Sequence, residues 1–386
     1  MKPSNESSRR AQVALFAVLA CAAPGAAQDD AQVDKVADRS RPPQGGLVLS
    51  AGDLRFQWDT AFAKDWTAPE RASTHGQVLV DDEQRVWVNT DGKAALTVFT
   101  KEGKVERSLL EDWHGGLHGM CFDRRQAAPS LVIAHARRGE VVATSMQGEV
   151  LWTLDWPEAS ALYEKAARYH PTSVALASDG RLFVADGYGL SWVHVYDAER
   201  RYQKSFGGRG VDDGKMQTPH GLLVTTLEAA SLRAEAAAPT KDKDAEGAGA
   251  SAPSATKAEP PREVLLVCDR ENHRLLVCDL DGKVLRIVSG MLRRPCNIAR
   301  HGDEFAIADL TGRVTLLDHR FALIGHLGEQ PDPKLRATNR VAKDKWQDGV
   351  FLSPHGVAYD AAGNLYVSDW SEHGRITRLL RLAKRG

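Results

Sequence analysis

Residues 352–369, LSPHGVAYDAAGNLYVSD, read as strand, turn and strand. Residues 355–359 and 365–369 are short runs holding β-branched and aromatic side chains, and turn-forming residues lie between them, so the pair is a β-hairpin rather than a helix. The frame recurs upstream. Residues 170–186 (HPTSVALASDGRLFVAD) and 294–309 (RPCNIARHGDEFAIAD) are clear copies, while 74–90 and 117–135 are looser ones. A further copy starts at Thr218-Pro219-His220-Gly221-Leu222 and resumes at residues 264–269 (VLLVCD). Six copies at the spacing of propeller blades predict an all-β chain, folded as a six-bladed β-propeller.

Aligned, the copies share one position just before the first strand: His75, His118, Thr172, His220, Cys296 and His355. The first strand of every propeller blade lines the central channel, so these side chains should converge at one mouth. His118, His220 and His355 fall on blades two, four and six, a nearly threefold arrangement. Imidazole suits zinc, and a catalytic zinc site keeps three protein ligands and one open position. His75 and Cys296 are additional ring residues. A histidine at such a position can also simply cap the turn.

Neighbouring strands of a blade are antiparallel, so residues just past the second strand return to the same mouth. They include Tyr188, Arg270 and Trp370. Tyr188 is the candidate proton donor or acceptor, and Arg270 the candidate receptor for a carboxylate. Asp186, Asp269, Asp309 and Asp369 recur at the strand ends, where turn chemistry explains them.

The chain has 386 residues, with 50 basic against 51 acidic side chains and a formal charge of −1. That balance offers nothing to nucleic acid or to a membrane surface, and a monomer acting on a small-molecule or peptide substrate is expected. Lys2, Arg9 and Arg10 precede an apolar run, and Gly25-Ala26-Ala27 fits a signal-peptidase site, so residues 1–27 read as a signal peptide for export. The run is too short for an integral membrane span. Val18-Leu19-Ala20-Cys21 is a poor lipobox, which puts ordinary export ahead of anchoring at Cys21.

Residues 28–46 are polar and read as a flexible leader, and 47–386 as the propeller. The last repeat ends without a fourth strand, and residues 54–58 alternate apolar and polar side chains after Gly52-Asp53. This N-terminal strand is therefore predicted to complete the C-terminal blade, removing exposed sheet edges. Residues 156–169 show helical spacing, and a short helix is expected there. The stretch 229–262, rich in Ala, Pro, Lys, Glu and Ser, interrupts blade four and reads as a disordered insertion. After cleavage Cys121, Cys268, Cys278 and Cys296 remain; Cys268 and Cys278 lie on consecutive strands, and a disulfide between them is open.

Over most of residues 74–382 the repeats resemble NHL repeats, which typically form six-bladed propellers. Residues 183–188 (FVADGY) and 267–272 (VCDREN), with Leu117-His118-Gly119, Pro219-His220 and Pro354-His355, resemble motifs of peptidyl-α-hydroxyglycine α-amidating lyases. The resemblance implies zinc held by His118, His220 and His355, a catalytic Tyr188 and a substrate-binding Arg270. It implies cleavage of a carbinolamide C–N bond with release of glyoxylate. Two positions depart: Asn89-Thr90-Asp91 stands where that family has a second arginine, and Gly356 where it has an acidic calcium ligand. The competing reading is a non-catalytic propeller that binds a peptide or glycan at the channel mouth. Lactone hydrolysis at calcium lacks the carboxylate set that calcium needs.

Overall fold

The computed structural model describes residues 46–67, 71–111, 113–232 and 260–383. The expected signal peptide, the leader up to residue 45 and residues 233–259 of the insertion lie outside them. The described chain is a six-bladed β-propeller of antiparallel sheets. The inner strands are Thr74–Val80, Leu117–Asp123, Ser173–Leu176, Pro219–Leu227, Pro295–His301 and Pro354–Tyr359. Five of them start sheets that run outward in sequence order, and the sixth, Pro354–Tyr359, starts one whose outer strands come from the N-terminal part of the described chain. Among the described residues, no helix is long and apolar enough to cross a membrane.

Closure occurs as the alternation at 54–58 predicts. Leu54–Asp59 pairs antiparallel with Arg375–Arg381, setting Phe56 against Arg381 and Trp58 against Leu379. Phe56 and Trp58 are buried in a cluster with Val314, Leu316 and Phe351, so the strand packs on blade five as well. The sequence reading missed a fifth strand, Val48–Ala51, which folds back on Leu54–Asp59 around Gly52 at φ 51°.

One expectation is corrected, one boundary is narrowed and one open pairing is answered. Residues 156–169 form two isolated 3₁₀ turns, Glu158–Ser160 and Ala166–Arg168, in place of a helix. Ala161, in the left-handed region, ends the first turn, and the path instead inserts Tyr163 and Tyr169 between blades two and three. The insertion is ordered at both described ends: Ala229–Leu232 is a helical turn, and Arg262 already belongs to the second strand. Cys268 and Cys278 are both free. Cys268 pairs across the ladder with Leu275, and Cys278 with Leu265. Their side chains therefore leave opposite faces of one sheet, Cys268 toward blade five and Cys278 toward blade three.

Because Phe56 is fully buried in the closing strand, Phe56→Ala should lower unfolding stability by about 3–5 kcal/mol. Denaturant titration measures this, and a loss under about 1 kcal/mol would mean that the strand does not close the ring.

Candidate metal centre at the channel mouth

The ring positions are set by buried carboxylates. Asp269 accepts the Gln217 backbone N–H at 2.7 Å, Asp309 that of Arg293 at 2.9 Å, and Asp369 those of Leu352 and Ser353. Each bond ties the end of a second strand to the backbone just upstream of His220, Cys296 or His355. Arg274, Arg313 and Arg375 sit 2.8, 3.3 and 3.3 Å from these carboxylates. In blade three Asp186 accepts the His170 and Leu190 N–H groups and the Tyr163 hydroxyl, and burial pushes its carboxyl up to about 6. The recurring aspartates are thus the anchors of the ring.

The strand register slips where each of the three paired histidines enters its inner strand, between Leu117 and Met120, Pro219 and Leu222, and Pro354 and Gly356. Such bulges re-aim a side chain. Here they turn the imidazoles of His118, His220 and His355 toward the axis, with centroids 4.6, 4.9 and 4.7 Å apart. Each is 2–3% exposed.

Every one of the three is held by the next blade. Nδ1 of His118 lies 2.6 Å from the Thr172 carbonyl oxygen, that of His220 2.8 Å from Cys296 O, and that of His355 3.1 Å from Gly76 O. A carbonyl oxygen only accepts, so Nδ1 carries the proton and Nε2 presents a lone pair. The glycine after each histidine makes room for this approach. A Cβ on Gly119 would lie 2.5 Å from Thr172 O, on Gly221 2.5 Å from Cys296 O, and on Gly356 2.7 Å from Gly76 O. Alternate blades answer with a side chain one layer down: Gln77, Ser173 and Asn297 accept the N–H groups of Met120, Leu222 and Val357. These layers line a narrow, open space at the channel mouth.

The Tyr188 hydroxyl sits 3.1 Å from His118 Nε2 and 3.0 Å from His220 Nε2, with Arg270 Nη1 3.3 Å away. It carries one hydrogen and can satisfy one of the two imidazoles. His355 Nε2 is buried and has no hydrogen-bond partner. Two of the three converging lone pairs therefore compete for the one hydroxyl hydrogen, and the third has no hydrogen-bond partner. Ligand atoms within 4.8 Å of one another form two sets, His75–His118–His355 and His220–Cys296–His355, which share His355. The expected trio is divided between them, with the tyrosine hydroxyl standing between His118 and His220.

Burial draws His118, His220 and His355 well below the ordinary histidine value, and neighbouring imidazoles and Arg270 add to it. His75 is lowered too, mainly by burial, against an upward pull from Asp91. Burial raises Tyr188, a residue 36% exposed overall whose hydroxyl lies among the ring histidines; Arg270 pulls the other way. Burial pushes the Cys296 thiol up to about 11, again against Arg270. Arg270 itself loses ground to burial but is held above its usual value by Tyr188, Cys296 and Glu271. Glu271 also grips its Nε at 2.8 Å. His75 packs 5.7 Å from Trp370 with the rings tilted by 36°, forming the opposite wall. The structure brings every predicted ring and rim residue together. Sequence reading overlooked the layer of Gln77, Ser173 and Asn297, whose only signal is a hydrogen-bonding residue at corresponding places in blades one, three and five.

The NHL repeat model matches residues 351–379, which cover most of blade six of this six-bladed propeller. No curated protein matches the chain in sequence. Among solved structures it is similar to a streptogramin B lyase, at 10% identity and a TM-score of 0.51 over 86% of this chain and 100% of the other. It is also similar to a gluconolactonase from Xanthomonas campestris, at 13% identity and a TM-score of 0.52 over 89% and 99%. At these identities the likeness is one of fold.

Gly221→Ala would drive a methyl group into Cys296 O, and should cost about 1–3 kcal/mol of stability. Thermal and denaturant unfolding read the change, and an unaltered midpoint would show that the two inner strands are free to part.

Proposed function

We propose that the ring is a zinc centre and that the protein is a carbon–nitrogen lyase similar to peptidyl-α-hydroxyglycine α-amidating lyase. The observation that carries this reading is the proton shortage at the axis, where three buried Nε2 lone pairs face a single hydroxyl hydrogen. Neutral imidazoles with Nδ1 anchored to carbonyls are the donor set that zinc takes. His118, His220 and His355 would hold the metal through Nε2. Calcium is poorly served, since the ring offers nitrogen and sulfur in place of carboxylate oxygen. When bound, the metal supplies positive charge that polarises a substrate oxygen and favours deprotonation nearby.

The chain's own groups do the rest. Arg270, steadied by Glu271 and directed at Tyr188, receives the substrate carboxylate at the edge of the mouth. Burial alone holds Tyr188 protonated; with a bound cation and Arg270 offsetting that burial, it would give up its proton to solvent and, as phenolate, accept the proton of the carbinolamide hydroxyl. As the C–O bond becomes a carbonyl, the C–N bond breaks and its electrons go to nitrogen. Tyr188 returns the proton there, so glyoxylate and a primary amide leave with no net change in protons. Asn89-Thr90-Asp91 stand where that family has a second arginine, and the Asn89 side-chain N–H bonds the His118 carbonyl, so the substrate clamp rests on Arg270. An exported monomer acting on a small-molecule or peptide substrate belongs to the same proposal.

Protein purified without chelator should carry about one zinc per chain, and His220→Ala should lose it. Glyoxylate release from an α-hydroxyglycine peptide should fall on the order of 10²–10⁴-fold in Tyr188→Phe. Metal-free protein that binds no added zinc would leave the non-catalytic peptide- or glycan-binding reading. Zinc without glyoxylate release would remove the lyase assignment alone.

A further inference from the structure

Cys296 stands apart from the other cysteines of the described chain. Cys268 and Cys278 pack within apolar clusters of blades four and five and of blades three and four, and Cys121 packs against the cluster of blades two and three. Cys296 is 1% exposed yet belongs to none of these clusters. Its neighbours are polar. Its carbonyl accepts the Nδ1 proton of His220, its side chain meets Arg270, and its Sγ lies within 4.8 Å of the ligand atoms of His220 and His355. A buried cysteine kept only for packing would sit among aliphatic side chains. His355 supplies a second, independent observation, since its buried Nε2 points into the same space without a partner.

Two features favour this side of the ring. The Tyr188 hydroxyl separates His118 from His220, whereas His220, Cys296 and His355 form one of the two sets already close enough to share an ion. The blade-five strand also presents Cys296 twice, through its carbonyl and through its sulfur. A shift that moves the sulfur therefore moves the orientation of His220 as well.

We propose that Cys296 Sγ is a metal ligand alongside His220 and His355, so that the centre is a mixed nitrogen–sulfur site. This rests on the metal reading above and goes beyond it by changing the donor set. On binding, the thiol proton passes to solvent and the sulfur coordinates as thiolate, with no change of oxidation state. A thiolate selects zinc-like ions over magnesium and calcium. It also fills a coordination position that a purely histidine site would leave for water or substrate.

The test is the absorption spectrum of the full chain loaded with Co²⁺ after removal of resident metal. The expected result is a set of visible d–d bands together with an intense near-ultraviolet thiolate-to-cobalt charge-transfer band. Cys296→Ser should abolish the charge-transfer band while its far-ultraviolet circular dichroism matches wild type; Cys296→Ala serves if the serine variant does not fold. Visible bands without the charge-transfer band in the wild type overturn the sulfur ligand and leave the histidine centre standing. Persistence of the band in a folded Cys296 variant also overturns it. Absence of all cobalt bands overturns both this assignment and the metal centre beneath it.

Discussion

The contact on which the mouth depends is a backbone carbonyl of one blade accepting the Nδ1 proton of a histidine in the blade before it. It occurs at His118, His220 and His355, and each time the following glycine lets the two inner strands meet. A side chain in place of the glycine would push the carbonyl away, and the imidazole would lose both its tautomer and its direction. Ring closure is what makes the contact possible. The third pair joins His355 of the last blade to Gly76 of the first, across the seam at which Leu54–Asp59 completes blade six.

Burial then gives the arrangement its chemistry. Away from water, three Nε2 lone pairs that face one another repel unless a cation or protons lie between them. The low proton affinity that burial imposes on these imidazoles disfavours protons as the answer. Tyr188 contributes one hydrogen, and Arg270 places its charge behind that hydroxyl. The site is therefore short of positive charge at its centre and supplied with it at its rim. That pattern suits a metal on the axis and an anionic group at the edge.

Much of this was legible in the chain. The hairpin period fixed the blades, and blades three, five and six were clearest because their second strands end at or just before Asp186, Asp309 and Asp369, as that of the interrupted blade four ends at Asp269. Blades one and two end instead in Thr90 and His135, which is why their copies looked loose. The ring could be read because one alignment column collects its residues. The division of the ligands into two sets could not, since it depends on where the Tyr188 hydroxyl comes to rest between two blades. Nor could the path of residues 156–169, where aromatic side chains packed between blades overrode helical spacing. The pairing of Cys268 and Cys278 stayed open because adjacency along the chain says nothing of register, and the observed register puts them on opposite faces.

The most direct measurement is the imidazole tautomer in the metal-free protein, read from nitrogen-15 correlation spectra of labelled histidines at neutral pH. The inter-blade contacts require His118, His220 and His355 to be neutral with the proton on Nδ1. Spectra showing these three as Nε2–H tautomers, or as imidazolium, would contradict the orientation on which the centre is built.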